Sequence, residues 1–423
     1  MDDTIFALSS GAPPAGIGVI RISGAEAGSA LATLTGSLPP VRSPRLRTLR
    51  DADGEVLDVA LVLWFPGPAA ATGEDLAEIH CHGGRAVVAA ILASLGTMEG
   101  LREAEPGEFT RRAFTNGRID LAEAEGLADL LAAETELQRR GALLAAGGEV
   151  SRRIEGWRDA ILGLAAGVEA VIDFADEDDV ASLPASFADQ VADLVAEVRQ
   201  VSGRPAAERL RDGVRVVLAG PPNAGKSSLF NALLADEAAI VTAEAGTTRD
   251  VLERPVSIAG VPFVLIDTAG VRDEGAGAIE EIGIERARRE IAAGQIVLWL
   301  GDANDAPEGA LLVQSKSDLS NRSDSPAIQV SAVTGAGLET LLARLVERGR
   351  AALPPVDRVA FNRRQKRLAL EAAEYLEAVD VAGDLLVAAE NLRSARQSLD
   401  ALVGRDSTEE MLDALFGRFC IGK

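Results

Sequence analysis

The chain has little cysteine, few aromatic residues and no long apolar run. Its two cysteines, Cys81 and Cys420, are too few for a disulfide framework, which points to a reducing compartment. The N-terminus is acidic where a secretory signal is basic, and no apolar run approaches the roughly 18 residues of a membrane span. These absences predict a soluble, cytoplasmic protein with no membrane association.

Basic residues are outnumbered, since 42 Lys and Arg against 65 Asp and Glu give a formal net charge of −23. So acidic a surface argues against a broad phosphate-binding face, and any nucleic-acid contact must be local. Apolar residues make up 47% and charged residues 25%, which excludes large-scale disorder. The 423 residues suffice for two to four domains at roughly 150 residues each.

In the first half of the chain, the spacing of the apolar residues changes once. Strand-like runs at 18–22 and 60–65 are bounded by Pro and Gly turns. From residue 121 to about 171, apolar residues instead recur at helical spacing. The pair Gly147-Gly148 predicts a break within this stretch, because glycine costs about 1 kcal/mol inside a helix.

A second change begins at Val214–Ala219, a continuous apolar run typical of a parallel strand buried on both faces. Strand-like runs recur at 263–266, 296–300, 310–313 and 327–330, with helical stretches between several of them, which predicts a doubly wound α/β domain. We therefore predict a multidomain protein with these parts: an α+β domain at 1–117, a helical domain at 118–212, an inserted α/β domain at 213–353 and a helical return at 354–423.

One motif carries the nucleotide chemistry. Gly220–Ser227 fits G-x-x-x-x-G-K-[ST], and it follows a predicted strand and precedes a helix-like run. The glycines let backbone N–H groups wrap phosphates at a helix N-terminus, where negative charge is favoured. Lys226 reaches the β- and γ-phosphates, and Ser227 Oγ ligates Mg²⁺. This context predicts a P-loop.

Further elements in the expected order narrow the nucleotide to GTP. Asp267 ends a strand, where it can hold Mg²⁺ through water, and Gly270 follows with an N–H for the γ-phosphate. Gly246-Thr247-Thr248 lies where a switch loop supplies a Thr to the metal. Ser315-Lys316-Ser317-Asp318 resembles the guanine-reading Asn-Lys-x-Asp, and Ser331-Ala332-Val333 matches the next base-contacting loop. Together these elements predict a GTPase.

Two positions depart from the usual GTPase pattern. Ser315 replaces Asn, so a scaffolding amide is lost, although Asp318 can still accept hydrogen bonds from guanine. Val271 stands where Ras-like GTPases carry the Gln that orients the attacking water. Another group must take that role, and the residues themselves leave four acidic candidates open: Asp273, Glu274, Glu280 and Glu281.

Several short motifs resemble the MnmE (TrmE) family of tRNA modification GTPases, and the resemblance spans essentially the whole chain. The segments that carry it are Gly246–Asp250, Asp267–Arg272, Ile282–Arg286, Thr72–Asp75, His80–Gly84, Pro106–Phe109 and Phe419–Lys423. The resemblance implies a folate-binding N-terminal domain and a P-loop GTPase domain inserted into a helical domain. It also implies addition of an aminomethyl or carboxymethylaminomethyl group to C5 of the wobble uridine of certain tRNAs.

The family's cofactors and partners follow from the same resemblance. It implies GTP, Mg²⁺, potassium-dependent hydrolysis, and a 5-formyl- or 5,10-methylene-tetrahydrofolate as one-carbon donor. It implies a homodimer that joins the flavin-dependent GidA (MnmG) protein in a heterotetramer, with tRNA as substrate. In the family the C-terminal tail reaches the N-terminal folate site across the homodimer.

Site residues transfer position by position. The resemblance implies Glu280 as the water-orienting residue, Ser227 and Thr248 for Mg²⁺, Asn223, Thr242, Glu244 and Thr247 for potassium, and Arg21, Glu78, Arg118 and Lys423 for folate. Glu244 replaces an apolar residue, and Arg118 replaces Lys, which keeps the charge but not the geometry. The expected GTP contacts are Asn223, Ala224, Gly225, Lys226, Ser227, Ser228, Thr242, Ala243, Glu244, Ala245, Gly246, Thr247, Thr248, Asp267, Thr268, Ala269, Gly270, Ser315, Lys316, Asp318, Ser331, Ala332 and Val333.

Other interpretations compete with this one. A ribosome-assembly GTPase of the Era or EngA type would carry a C-terminal KH domain, whereas 355–423 is helical in pattern. A non-catalytic folate-binding protein would not need the nucleotide motifs. Adjacent ligands such as His80-Cys81-His82 suit tetrahedral zinc poorly. Cys420 is either a reactive thiol or a packed small residue, and Arg363–Arg367 is either a tRNA contact or a solvated helix start.

Overall fold

The computed structural model describes residues 3–173, 182–235, 252–268, 289–319, 326–355, 357–405 and 408–423. The chain forms two compact units. One consists of Met1–Ala128 together with Val403–Lys423, and the other is Asp129–Leu402. The sequence analysis assigned all of 354–423 to the helical return, whereas the structure groups Val403–Lys423 with the N-terminal unit.

The strands are β1 Thr4–Leu8, β2 Ile17–Ser23, β3 Arg45–Arg50, β4 Val56–Phe65, β5 Leu76–His82, β6 Leu101–Glu103, β7 Val214–Ala219, β8 Leu252–Ile258, β9 Val261–Asp267, β10 Ile296–Trp299, β11 Leu311–Gln314 and β12 Ile328–Gln329. The helices are α1 Ala27–Thr35, α2 Arg85–Gly96, α3 Glu108–Thr115, α4 Leu121–Leu131, α5 Glu136–Ala146, α6 Glu149–Asp173, α7 Phe187–Ser202, α8 Glu208–Asp212, α9 Lys226–Ala235, α10 Leu338–Ala352, α11 Arg363–Glu377, α12 Leu385–Leu402 and α13 Glu409–Phe416.

The N-terminal unit is built on a sheet of strand order β3-β4-β5-β2-β1-β6. Neighbouring strands are antiparallel except for the parallel pair β1–β6. Ile20 and Ile22 point to one face, where they pack with Leu31 of α1 and Ile91 of α2. Because side chains alternate along a strand, Arg21 faces the other way.

Helix α13 completes this unit from the far end of the sequence. Its Leu412 and Phe416 pack with Leu121 and Phe419 in a small apolar cluster. The rings of Phe416 and Phe114 lie 6.1 Å apart, so α13 also contacts the end of α3. This packing explains why the segment belongs with the N-terminal unit.

The α/β domain has a sheet of order β12-β11-β10-β7-β9-β8. Strand β7 lies between β10 and β9 and runs parallel to both, and only β8 pairs antiparallel within this sheet. Leu229 of α9 and Leu341 of α10 pack into the same core as Val216. The predicted α/β domain is confirmed, and β7 has the bounds that the apolar run indicated.

The helical part of the second unit contains α5, α6, α7, α11 and α12. Helix α5 ends at Ala146 and α6 begins at Glu149, so the predicted break at Gly147-Gly148 is confirmed. Helix α11 packs on α12 and α7, and α12 packs on α6. Between residues 363 and 416 the described segments are helices joined by short connections, so the strands that a KH domain requires do not occur there. No helix within the described ranges is long and apolar enough to cross a membrane.

Candidate functional site

The P-loop has a backbone shaped to wrap an anion. It joins the end of β7 to the start of α9, with positive φ angles at Gly220 (147°), Asn223 (63°) and Gly225 (91°). A Cβ on Gly220 would lie 2.6 Å from the carbonyl oxygen of Leu300, so that position must be glycine. Asn tolerates the left-handed region better than most residues, which suits Asn223.

Lys226 spans this loop from the first position of α9. Its side chain is buried, and Nζ donates hydrogen bonds to the carbonyl oxygens of Gly220 and Pro221, both at 2.9 Å. An ammonium group held beside a helix N-terminus attracts negative charge. Ser227 and Ser228 follow on the exposed first turn. These residues fit a bound polyphosphate and Mg²⁺.

Asp267 and Thr268 lie at the same edge of the sheet. In the parallel pair β7–β9, Asp267 is the register partner of Leu218, whose carbonyl accepts a 2.7 Å hydrogen bond from Thr268 Oγ1. Since the carboxyl ends of parallel strands meet at one edge, Asp267 comes close to the start of the P-loop. Asp267 therefore lies at the P-loop edge of the sheet, and its role toward Mg²⁺ stays a prediction.

The predicted base-reading loop, Ser315–Asp318, is hydrogen-bonded to the P-loop. Ser315 Oγ donates to the carbonyl oxygen of Ala224, and Lys316 Nζ donates to that of Asn223 at 3.0 Å. Ser331 Oγ in turn donates to Asp318 Oδ1 at 2.7 Å, which orients the carboxylate. The sequence analysis expected the scaffolding contact to be lost with Asn, but the serine hydroxyl makes a contact of its own.

The remaining residues of the predicted nucleotide site lie either on the loop after β12 or outside the described residues. Ala332 is half-buried and Val333 is exposed on the loop after β12. The switch residues, the γ-phosphate glycine and the acidic candidates lie outside the described residues: Thr242, Ala243, Glu244, Ala245, Gly246, Thr247, Thr248, Ala269, Gly270, Val271, Asp273, Glu274, Glu280 and Glu281.

A second site lies on the outward face of the N-terminal sheet. Arg21 and Glu78 are register partners across β2 and β5, and Arg21 Nε donates to Glu78 Oε1 at 2.8 Å. His80 Nε2 lies 3.1 Å from the other carboxylate oxygen. Burial opposes ionisation of Glu78, but its hydrogen bonds to His80 and Arg21 outweigh that effect, so its pKa lies below the usual range. The site thus holds a fixed carboxylate between two basic groups.

The contact of His80 with Glu78 was not predicted from the sequence, where His80 was considered only as a metal ligand. Alternation along β5 places Cys81 on the opposite, buried face, where burial raises the pKa of its thiol. His82 pairs instead with Asp58, its Nδ1 lying 2.8 Å from Oδ1. The spacing of two between Glu78 and His80 is the signal that could have joined them.

The tail, Cys420–Lys423, packs on the N-terminal unit of its own chain. Gly422 has φ 90°, and a Cβ there would lie 2.1 Å from the carbonyl oxygen of Leu8. The N–H of Gly107 donates to the carbonyl of Cys420 at 3.4 Å. Leu8 follows Ala7, the register partner of Arg21, so the tail lies near the Arg21–Glu78 pair. These contacts lie within a single chain, and the expected reach of the tail across a homodimer stays a prediction.

Arg118 lies beyond α3 rather than beside Glu78. Its backbone N–H donates to the carbonyl of Ala113 at 2.8 Å, and its side chain packs against Gly73. The neighbouring Thr72 is hydrogen-bonded to Ser23, two residues along β2 from Arg21. Arg118 thus lies beside Gly73, next to the Thr72–Ser23 hydrogen bond, and a folate site shared with Arg21 and Glu78 stays a prediction.

These features define a class of protein: a multidomain P-loop nucleotide-binding protein of the GTPase type. The family models described as "MnmE helical domain" and "GTP-binding protein TrmE N-terminus" match residues 121–420 and 4–118. Proteins called "tRNA modification GTPase MnmE" are similar along the whole chain. That of Erythrobacter litoralis is 59% identical, with 100% of both chains covered, and that of Novosphingobium aromaticivorans is 55% identical, again with 100% of both. The chain belongs to the MnmE family of tRNA modification GTPases.

Among solved structures, the G domain of the T. maritima FeoB iron transporter is 26% identical. The match covers 32% of this chain and 98% of that one, with a TM-score of 0.23. A score so low adds nothing to the assignment.

Proposed function

We propose that this protein hydrolyses GTP and uses the cycle to modify the wobble uridine of certain tRNAs. The GTPase part is supported by hydrogen bonds between the loops of the nucleotide site. Ser331 orients Asp318, and Ser315 joins the base-reading loop to the P-loop. Asp318 accepts hydrogen bonds from the guanine N1–H and 2-amino group, which an adenine base cannot offer. The family's printed name supports the tRNA part.

In hydrolysis the protein positions groups around the phosphates. Lys226 exchanges its two carbonyl partners for phosphate oxygens, and Ser227 with Asp267 holds the metal side. Mg²⁺ and K⁺, when bound, supply positive charge to the β- and γ-phosphates. Glu280 orients the attacking water, a role that Val271 cannot perform.

The potassium site is proposed at Asn223, with Thr242, Glu244 and Thr247 from the switch loop. Asn223 is exposed in the middle of the P-loop, and its carbonyl is occupied by Lys316 at 3.0 Å. That bond fixes its backbone, so the side-chain amide remains the group that can bind a cation. Thr248 joins Ser227 as the second Mg²⁺ ligand.

The folate donor is proposed to bind at Arg21 and Glu78. A carboxylate held ionised presents two acceptors, which match the donor edge of a pterin. Arg118 and Lys423 supply cations for the glutamate portion of the folate. The position of the tail beside Leu8 supports the inclusion of Lys423.

Assembly as a homodimer is proposed through the outward face of the N-terminal sheet. Ile17, Leu46 and Leu61 lie on that face with exposures of 61%, 65% and 38%, and Leu46 and Leu61 are register partners. Exposed apolar residues on one face of a sheet favour burial against a second copy. Association with the flavin-dependent GidA (MnmG) protein in a heterotetramer, and a cytoplasmic location, rest on the family.

The decisive experiment is nucleoside analysis of tRNA from cells lacking this protein. We expect an unmodified C5 position at the wobble uridine, restored by the wild-type gene and not by one encoding Lys226→Ala. Normal wobble modification in the deletion strain would refute the tRNA function. A failure of the purified protein to hydrolyse GTP in KCl would refute the GTPase part.

A further inference from the structure

Lysine is rare in this chain, with four in 423 residues. Lys226 and Lys316 belong to the nucleotide site, and Lys423 belongs to the tail. The fourth, Lys366, lies on α11 in a region that neither site uses. This region is the densest basic cluster of an acidic protein.

The cluster is formed by two segments, 204–212 and 357–367, which we call the basic junction. They hold eight basic and three acidic residues in a chain of net charge −23. The basic residues are Arg204, Arg209, Arg211, Arg358, Arg363, Arg364, Lys366 and Arg367.

Hydrogen bonds hold the two segments of the basic junction together. The Ala207 N–H donates to the Phe361 carbonyl at 2.9 Å, and Arg204 donates to the Val359 carbonyl at 2.8 Å. The N–H of Arg363 donates to Glu208 Oε1 at 2.7 Å. The two segments therefore form one surface. One of its three carboxylates, that of Glu208, accepts a hydrogen bond from the backbone.

Some basic side chains of the junction have structural contacts, and others are exposed. Arg364 donates to the carbonyl oxygens of Ala401 and Leu402, so it has a structural role at the end of α12. Arg209, Arg358, Arg363 and Arg367 are exposed, and the side chain of Arg367 is 69% accessible. Its ion pair with Glu371 is 3.4 Å long and exposed, so it contributes little and can be exchanged for a phosphate.

A groove of about 950 Å³ continues from the basic junction along α11. Arg363, Lys366 and Arg367 line one end, and Tyr375 lines the other. Tyr375 is the single tyrosine of the chain and is partly exposed. At 1.5 Å per helical residue, it lies about 12 Å along the axis from Arg367. Arginines that bind phosphates beside an exposed aromatic ring are typical of contacts to RNA.

We propose that the basic junction and the groove along α11 bind the sugar–phosphate backbone of tRNA, with Tyr375 stacking on an unpaired base. The proposal rests on the proposed tRNA substrate and identifies the surface that receives it. The carboxylates Glu371 and Glu374 line the middle of the groove and limit the backbone contact to its basic end.

The test compares Arg363→Gln/Arg367→Gln with the control Arg139→Gln/Arg393→Gln. The control arginines are also exposed and pair with glutamates, and neither of them belongs to the basic junction or lines the groove. The probe is an unmodified transcript of a tRNA with uridine at the wobble position, followed by fluorescence anisotropy at several KCl concentrations. We expect the junction variant to bind about tenfold more weakly and its log Kd–log salt slope to fall by about 2, because two phosphate contacts are lost. Thermal unfolding of both variants checks that they are folded.

Tyr375→Ala separates RNA recognition from general polyanion binding. It should weaken transcript binding by about fivefold or more while leaving heparin binding unchanged, since heparin has no base to stack. If the unsubstituted protein binds the transcript and the junction variant binds it equally well, the surface is wrong although the tRNA function stands. No binding by the unsubstituted protein would overturn both. If the junction variant loses affinity only for phosphatidylglycerol vesicles, the surface binds lipid, and the proposal is overturned.

Discussion

Ser315 Oγ donates a hydrogen bond to the backbone carbonyl of Ala224, which joins the base-reading loop directly to the P-loop. A Cβ at the adjacent Gly225 would lie 3.1 Å from Ser315 Oγ, so the two loops are in close contact. A short hydroxyl reaches the carbonyl only because the backbones approach this closely. Serine thus replaces asparagine here and still joins the predicted base-reading loop to the P-loop.

Replacing Ser315 with alanine removes that hydroxyl. Ser315→Ala should weaken GTP and GDP binding by about fivefold, since a neutral hydrogen bond contributes about 1 kcal/mol. Titration with a fluorescent guanine nucleotide measures the change. Ser317→Ala is the control, because Ser317 uses its backbone N–H to bond the Val330 carbonyl. Equal affinities in both variants would mean that the Ser315 contact does not support binding.

The second prediction concerns the tail. Gly422→Ala places a Cβ 2.1 Å from the Leu8 carbonyl and should displace Lys423, which lowers the affinity for 5-formyltetrahydrofolate. Gly54→Ala is the matched control, because Gly54 has a similar φ of 85° but open space around its Cβ. Both variants carry a backbone cost of about 1–2 kcal/mol, so only Gly422→Ala adds the clash. Calorimetry that finds equal folate affinity in the two variants would refute the role of the tail.

The third prediction follows from the lowered pKa of Glu78. A carboxyl group with a depressed folded-state pKa stabilises the fold above its ordinary value of 4.5, and this contribution disappears as pH falls through the lowered pKa. Arg21→Gln removes a hydrogen bond and a positive charge, so the pKa of Glu78 rises toward 4.5. The variant should therefore lose stability at higher pH than the unsubstituted protein does. Melting temperatures of both proteins measured from pH 3.5 to 7 test this. If the two proteins lose stability over the same range of acid pH, the prediction is wrong.

The fourth prediction concerns catalysis. Glu280→Ala should lower GTP turnover by about 10²–10⁴-fold and leave GTP binding nearly unchanged, because a water-orienting group acts in the transition state. Lys226 and Asp318 still supply the binding contacts. Single-turnover hydrolysis beside nucleotide titration separates the two effects. Glu281→Ala is the control, and loss of turnover in that variant alone would shift the assignment by one residue.

Local requirements made much of the nucleotide site predictable. A P-loop needs a buried strand, glycines at fixed positions and a helix that begins at Lys226, and all of these are contiguous in sequence. The break at Gly147-Gly148 is likewise set by the glycines themselves. The strand at Val214–Ala219 was recognisable because burial on both faces removes polar residues from it.

Non-local relationships could not be predicted in the same way. The contact between Arg21 and Glu78 depends on the β2–β5 register, and the resemblance to a family named both residues but not their contact. The hydroxyl contact of Ser315 depends on the distance between two loops, which a substitution in a motif does not reveal. The place of the tail depends on helix α13, whose apolar side chains have the same periodicity whichever unit they join.

The division of the N-terminal unit has a consequence for biosynthesis. Leu412, Phe416 and Phe419 complete an apolar cluster with Leu121, yet the ribosome makes them only after the whole of Asp129–Leu402. Until then, Leu121 and Phe114 lack the partners that cover them. The first domain to be translated is thus the last to be finished, and a nascent chain interrupted after Leu402 would expose apolar surface to chaperones and proteases.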